Sequence, residues 1–257
     1  MPFVKMIAND GIYTITLNRP EKRNALNQEM VKALLHALQK VAQDDYSRVL
    51  IIQGHGEAFC AGADIAWMQT VIARSYDENY DDAQLLADFL YQLYTFPRPT
   101  IVLAHGIVLG GGLGLLAAAD IAIAAESTSF GFSEVRLGLT PSCISPYVLA
   151  AIGERAARYY FLTGERFNTS EAYRMGLIHR VVEAHALADM GLGLAKELLV
   201  NSPQAMHAVK QLVQFVMREK INEALIQKTA EHLAAIRSSP EAQEGLRAFL
   251  EKRKARW

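Results

Sequence analysis

Apolar residues dominate positions 3–7 and recur through 12–17, with Asn9-Asp10-Gly11 between the two runs. Two such strand-like runs around an Asp-Gly turn predict an antiparallel hairpin. Asn18-Arg19-Pro20 ends its second strand. From Asn27 onward the pattern changes, and Met30, Leu34, Leu38 and Val41 recur at helical spacing. Asn27 suits an N-cap, so a helix is predicted as far as about Gln43. A strand follows over 48–53, then a glycine-bearing turn over 54–62, and Asp64 opens a further helical turn. The next helix is predicted over 82–95, closed by Pro97 and Pro99. A strand over 100–104 leads into Gly110-Gly111-Gly112, an apolar helix and a strand over 121–125.

A unit of strand, glycine turn and helix therefore recurs, with weak similarity between VLIIQGHGEAFCAGAD and PTIVLAHGIVLGGGLG. An α/β fold follows, and the repetition leaves room for a superhelical stack of short turns. Beyond about Thr169 the pattern is helical, over 170–175, 185–199, 203–218, 222–236 and 240–252. The expected division is a core domain over 1–195 and a helical C-terminal region over 196–257 that packs on the core or on a neighbouring subunit. The stretch 101–125 is long and apolar enough to resemble a membrane span. His105, Asp120 and five glycines interrupt it, and it reads instead as strand, turn, buried helix and strand. Strands so continuously apolar suit a sheet covered on both faces.

With 257 residues, 51% of them hydrophobic, the chain can build its own core. A formal net charge of -1 provides no global field toward nucleic acid or an anionic membrane. Cys60 and Cys143 make no metal-ligand spacing, and the seven histidines form no H-E-x-x-H pattern, so no metal site is expected. His105, before Gly106, reads as a turn residue. The opening MPFVKMIAND lacks the apolar stretch of a signal peptide, and a reducing, cytoplasmic setting is the expectation.

Three chemical readings compete for the glycine segment, beside the plain one of a packing turn. Glycines 112 and 114 with Ala117 match the dinucleotide pattern G-x-G-x-x-A, but the preceding strand ends too early for its tight turn. A P-loop needs Gly-Lys-Ser/Thr, which is absent. The third reading is a thioester oxyanion hole. Glycines at a helix mouth leave backbone N–H groups uncovered, and Phe59-Cys60-Ala61-Gly62-Ala63-Asp64 is a second small-residue turn after a strand. Two such N–H groups converging on one carbonyl oxygen stabilise the charge of an enolate, each by about 3 kcal/mol. No G-x-S-x-G elbow is present, which argues against a serine hydrolase.

These residues resemble the crotonase, or enoyl-CoA hydratase/isomerase, superfamily nearly end to end. The motifs are Leu17-Asn18-Arg19-Pro20 with Asn24-Ala25-Leu26-Asn27, the turn from Phe59 to Asp64, Leu109 to Gly112, Ala119-Asp120-Ile121, Phe161-Leu162-Thr163-Gly164, and Phe249 to Lys254. The resemblance implies a spiral of ββα turns with a helical C-terminal region, assembled as a homo-trimer or dimer of trimers. It implies an acyl-CoA thioester as substrate, with coenzyme A arriving as part of it and no separate cofactor, no nucleic acid and no membrane. By the same resemblance the oxyanion donors are the N–H groups of Ala63 and Gly111. The surrounding acyl-CoA contacts are Lys22, Arg23, Ala25, Ala61, Asp64, Ile65 and Gly110, with Lys252 reaching toward a neighbouring subunit's ligand.

Hydratases of this superfamily use two glutamates. Here the first position falls on Gly114 and the second on Glu134. A loop glutamate is ordinarily just solvated, but Phe130, Phe132, Val135 and Leu137 flank this one. Glu134 is therefore expected against an apolar wall that raises its pKa toward a working value for a general acid/base. Glycine inside a helix costs up to about 1 kcal/mol relative to alanine, so Gly114 is expected to make room for something. Residues 133–160 resemble bacterial methylglutaconyl-CoA hydratases in character. The expected activity is hydration of a branched or carboxylated 2-enoyl-CoA by a single glutamate, with Arg136 offered to a second substrate carboxylate and Ser142 and Cys143 lining the pocket. The alternatives are 3-enoyl to 2-enoyl isomerisation and a silent acyl-CoA-binding member of the superfamily.

Overall fold

The computed structural model describes residues 2–217 and 219–257. The hairpin forms as the Asp-Gly turn requires: β1 (Val4–Asn9) and β2 (Ile12–Leu17) pair antiparallel, and Asp10 and Gly11 both take positive φ in the turn. Asn27 caps α1 (Gln28–Gln43) by accepting from the Met30 N–H, and Met30, Leu34, Leu38 and Val41 are buried along one face. The chain continues through β3 (Val49–Gly54), α2 (Ile65–Val71), α3 (Tyr76–Tyr94) and β4 (Thr100–Ala104). α3 starts at Tyr76 rather than Asp82, because Ser75 and Glu78 form a capping box ahead of a polar first turn.

Next come β5 (Ile107–Leu109), α4 (Gly111–Ala118), β6 (Ile121–Ala125), β7 (Ser129–Gly131) and α5 (Ser145–Thr163). α5 bends at Gly153, where φ is 74° and ψ is 163°. β8 (Arg166–Asn168), α6 (Thr169–Arg174) and β9 (Arg180–Val182) complete the strands. The chain ends in α7 (Leu187–Leu199), α8 (Pro203–Val216), α9 (Glu223–Arg237) and α10 (Pro240–Leu250). The helix expected to run to Arg218 reaches Val216, and Arg218 itself lies outside the described residues.

The main sheet has the order β1-β2-β3-β4-β6-β9 and is parallel from β2 onward. A second sheet, β5-β7-β8, is extended by a parallel bridge from Cys60 to Val108. Each pass through the main sheet is thus followed by a short segment in the second: β3 by Cys60, β4 by β5, β6 by β7. That repetition is the superhelical stack. Ile15, Leu17, Leu50, Ile52, Val102 and Ala104 face one core with α1 and α3, while Ile12, Val49, Ile51, Ile101, Leu103 and Ile123 face another with Leu187 and Ala195 of α7. Both faces are covered, which is why these strands read as unbroken apolar runs. Each large side chain so buried contributes roughly 1.5–3 kcal/mol.

The boundary expected after residue 195 falls inside α7, whose buried face packs on the sheet. α8 is tied to the core by Lys210, whose Nζ donates to Asp120 Oδ2 at 2.7 Å and to the Arg98 carbonyl at 3.0 Å. Among the described residues no helix is long and apolar enough to cross a membrane.

Candidate active site

Two small-residue turns approach each other at the top of the stack. Leu26 bridges Ala63 in parallel register: the Leu26 N–H donates to the Gly62 carbonyl at 2.7 Å, and the Asp64 N–H donates to the Leu26 carbonyl at 2.8 Å. Ala63 lies between those bonds, and its own N–H has no protein acceptor among the described residues. On the facing turn Gly110 takes φ 46° and ψ -115°, a conformation closed to residues with a Cβ. Its N–H donates to the Gly131 carbonyl at 3.2 Å. Gly111 then begins α4, and as the first helical residue its N–H is also without an acceptor among the described residues. Ala63 and Gly111 line the same cavity, of about 380 Å³.

Glu134 lines this cavity as well. It follows β7, whose Phe130 stacks on Phe167 at 5.5 Å while Phe132 meets Phe161 edge-on at 4.8 Å. A tight helical turn over Glu134–Leu137, closed by Gly138 at φ 70°, turns the carboxylate inward. A Cβ on Gly110 would fall 3.0 Å from Glu134 Oε1, so the carboxylate lies against the glycine turn itself. Oε2 is buried and accepts no hydrogen bond among the described residues. Burial raises the Glu134 pKa above its ordinary value, against a smaller lowering by its own backbone N–H. The apolar wall has a different origin from the one expected. Val135 and Leu137 are exposed, and Leu26, Leu139 and Ile144 supply the apolar lining instead.

Gly114 is buried one turn into α4, and a Cβ there would meet Ile144 Cγ2 at 2.3 Å and Leu90 Cδ1 at 3.4 Å. The room that this glycine makes is filled by isoleucine. Ser142 and Cys143 line the cavity, with Thr140 Oγ1 and Ser142 Oγ paired at 2.6 Å. Burial raises the thiol pKa of Cys143 and pushes that of Cys60 up to about 12, so both are thiols rather than nucleophilic thiolates at neutral pH. His105 is a half-buried turn residue whose Nε2 lies 2.9 Å from the Gly56 carbonyl.

A second hollow of about 440 Å³ meets the first at Ala63 and gathers Lys22, Arg23, Ala25, Ala61, Asp64 and Ile65. Its rim is a frame that the motifs of the sequence encode. Asn24 is fully buried in a left-handed conformation; its Oδ1 accepts from the Arg19 N–H, and its Nδ2 donates to the carbonyls of His55 and Ala58. Arg19 in turn donates to the Ala25 carbonyl at 3.0 Å and to Asp64 Oδ2 at 2.7 Å. Asp64 also caps α2 through the N–H groups of Ala66 and Trp67. Its carboxylate is therefore engaged in the frame.

Two expected residues lie elsewhere. Arg136 packs over Gly164, where a Cβ would fall 2.9 Å from its Nε, and it is absent from the cavity lining. Lys252 follows α10 at the surface and lines neither hollow. Conversely, α3 contributes Asn79, Asp82, Ala83 and Leu86 to the cavity, residues that no motif singles out. Their i, i+3, i+4, i+7 spacing places them on one helix face, and Asn79 lies ahead of the helix expected to begin at Asp82.

The fold is that of the crotonase class. Across residues 7–257 the chain matches the model for "Enoyl-CoA hydratase/isomerase", and it belongs to that family. It is 32% identical over 246 residues to a putative enoyl-CoA hydratase of Thermus thermophilus, covering 96% of this chain and 97% of the relative. It is 31% identical over 266 residues to the 1,2-epoxyphenylacetyl-CoA isomerase of Escherichia coli, covering 98% and 97%. The crystal structure of an enoyl-CoA hydratase from Shewanella pealeana superposes with a TM-score of 0.97 at 39% identity, covering 99% of this chain and 96% of that one. The expected crotonase spiral is thereby established.

Proposed function

We propose that this protein adds water across the 2,3 double bond of a 2-enoyl-CoA thioester, using Glu134 as its one acid/base. The observation that carries this reading is the meeting of three groups in one cavity: the unengaged N–H groups of Ala63 and Gly111 and the buried carboxylate of Glu134. In the proposed mechanism the thioester oxygen accepts from both N–H groups. Water attacks C3 while Glu134 takes its proton, and the alkene electron pair moves through C2 to the thioester oxygen as an enolate. Glu134 then returns the proton to C2 as the enolate collapses. One C–O and one C–H bond form, the double bond is lost, and the glutamate ends as it began. The paired hydroxyls of Thr140 and Ser142 on the cavity wall supply hydrogen-bonding partners for the water.

The nucleotide of coenzyme A is assigned to the second hollow, with Lys22 and Arg23 toward its phosphates and Lys252 toward the ligand of a neighbouring copy. The acyl chain best suited to the first is branched and uncharged. No Lys, Arg or His lines that cavity among the described residues, so the carboxylated alternative lacks a counter-charge. We assign residues 196–257 to assembly as a trimer or dimer of trimers, because α8–α10 leave Val209, Val213, Ile226, Leu233, Phe249 and Leu250 exposed.

Isomerisation of a 3-enoyl-CoA is the second reading, favoured by Ile144 standing where a first glutamate would project from Gly114. A proton shuttle between C2 and C4 needs one base and no water. Following the absorbance of the conjugated thioester tests both, with crotonyl-CoA, 3-methylcrotonyl-CoA, 3-methylglutaconyl-CoA and a 3-enoyl-CoA as separate substrates and Glu134→Gln as control. Loss of signal from a 2-enoyl substrate supports hydration; gain from the 3-enoyl substrate alone replaces it with isomerisation. Binding without turnover of any substrate would identify a silent acyl-CoA-binding protein.

A further inference from the structure

Part of the wall of the acyl cavity is contributed by α3, and this part carries one charged group, Asp82. Its side chain is 11% exposed, within an otherwise largely apolar lining. Its two oxygens are unequally engaged. Oδ1 accepts from Trp67 Nε1 at 3.3 Å, and the Nη1 of Arg74 also stands 3.3 Å from it. Oδ2 accepts no hydrogen bond among the described residues. Arg74 is not part of the lining, so the cavity meets the carboxylate and not its counter-ion.

We propose that Asp82 is a specificity-determining residue of this cavity, rejecting acyl chains that carry a second carboxylate and favouring a neutral chain with a hydroxyl toward its far end. This rests on the reading of the cavity as the acyl site. A second substrate carboxylate would share a poorly solvated space with Asp82 and with Glu134, while Arg74, outside the lining, already engages Asp82 through Oδ1; like-charge juxtaposition is a strong source of selectivity. A hydroxyl donates to Oδ2 and engages an acceptor that a plain methyl end leaves unpaired. Sites built to hydrogen-bond a substrate group discriminate against the analogue lacking it. Trp67 and Arg74 hold the carboxylate through Oδ1, which leaves Oδ2 as the acceptor available to a substrate hydroxyl.

The test is calorimetric binding of hexanoyl-CoA, its ω-hydroxylated form and adipoyl-CoA, with the corresponding butanoyl series, to the full-length wild-type chain and to Asp82→Asn. Because these thioesters are saturated, binding is read independently of turnover. The wild type is expected to bind the hydroxylated chain most tightly and the dicarboxylic chain at least about tenfold more weakly than the plain one. In Asp82→Asn, with Oδ1 still held by Trp67 and Arg74, Nδ2 faces the cavity as a donor. The dicarboxylic chain should then gain about tenfold or more relative to hexanoyl-CoA. Wild-type binding of the dicarboxylic chain as tight as that of the plain chain overturns the inference, as does a ranking unmoved by the substitution. The wild-type ranking decides the matter even where the variant fails to fold. Failure of every acyl-CoA to bind overturns the acyl-site reading along with it, whereas binding with the wrong ranking removes the role of Asp82 alone.

Discussion

Ile144 occupies the space beside Gly114: a Cβ on the glycine would sit 2.3 Å from the isoleucine Cγ2 and 3.0 Å from its Cβ. The pair accounts for a glycine inside a buried helix, where alanine would otherwise be better by about 1 kcal/mol. It also means that a carboxylate at position 114 cannot be added by one substitution. Gly114→Ala is expected to destabilise the protein by about 1–3 kcal/mol, as overpacking does, despite the gain in helix propensity. Ile144→Ala should relieve part of that cost, and a double-mutant cycle in urea measures the coupling. Additive single-mutant effects would show that the two residues do not compete for one space.

Glu134→Gln should lower kcat by about 10²-fold or more, the usual contribution of a positioned acid/base, with the variant still binding a saturated acyl-CoA. The ionised glutamate takes the proton, and burial raises its pKa above the ordinary 4.5, so kcat/KM should fall on the acid side about an apparent pKa above that value. Stability runs the opposite way with pH. The folded protein holds this proton more tightly than the unfolded chain, so the contribution is fully present below about 4.5 and is lost as pH rises through the folded value. Glu134→Gln should abolish that slope in the urea midpoint and flatten any residual rate profile. An unchanged acid limb in the variant would assign the limb to another group.

The frame around Arg19 makes a different prediction. Burial tends to raise the Asp64 pKa, but the Arg19 guanidinium and the N–H groups of Trp67 and Ala66 outweigh it and leave the carboxyl below its ordinary 3.8. Stability from Asp64 is therefore present above that value and is lost as pH falls through the lower folded one. Asp64→Ala breaks a pair whose side chains are only 14% and 5% exposed and should cost about 3–5 kcal/mol. Arg19→Lys should restore little, since an ammonium cannot reproduce the fork that reaches both the Ala25 carbonyl and Asp64. If Arg19→Lys matched the wild-type urea midpoint, the fork would have no special part in the frame.

Much of this arrangement was legible along the chain, and the exceptions share physical causes. The hairpin, α1 and β4 follow from local periodicity and caps, which act over a few residues. β5, β7 and β8 span three residues each, too few for a period to register, so the second sheet went unseen. Ala63, Gly111 and Glu134, singled out through motifs and the resemblance they carry, line one cavity, whereas Arg136 does not, because a tight helical turn sends residues two apart in different directions: Glu134 into the cavity and Arg136 over Gly164. Ile144 could not be read from its neighbours at all. Its role depends on long-range packing against Gly114, and sequence spacing records no such contact. Asn24 was visible as part of a motif, but its task of holding three backbone groups appears only when 55 and 58 are brought beside 19.

Lys210 carries the last prediction. Asp120 Oδ2 accepts from the Thr100 N–H and hydroxyl, each at 2.8 Å, and from Lys210 Nζ at 2.7 Å. One carboxylate thus joins the start of β4, the approach to β6 and the middle of α8. Burial lowers the Lys210 pKa and the Asp120 charge opposes that shift, so the pair remains useful because the partner is present. Lys210→Met keeps most of the aliphatic stem but removes the ammonium and its two hydrogen bonds, and hydrogen bonds involving a charged group are worth about 1.5–3 kcal/mol. The loss should be local: amide exchange should accelerate through α8 and the helices beyond it, while the protection of β3 and β4 changes little. Gln214, whose side chain donates to the Tyr94 carbonyl at 3.1 Å, provides the next anchor along the same helix. Lys210→Met combined with Gln214→Ala should therefore loosen α8 more than either change alone. Uniform acceleration across α8 and the central strands would mean that the C-terminal helices unfold together with the spiral and that Lys210 has no separate anchoring role.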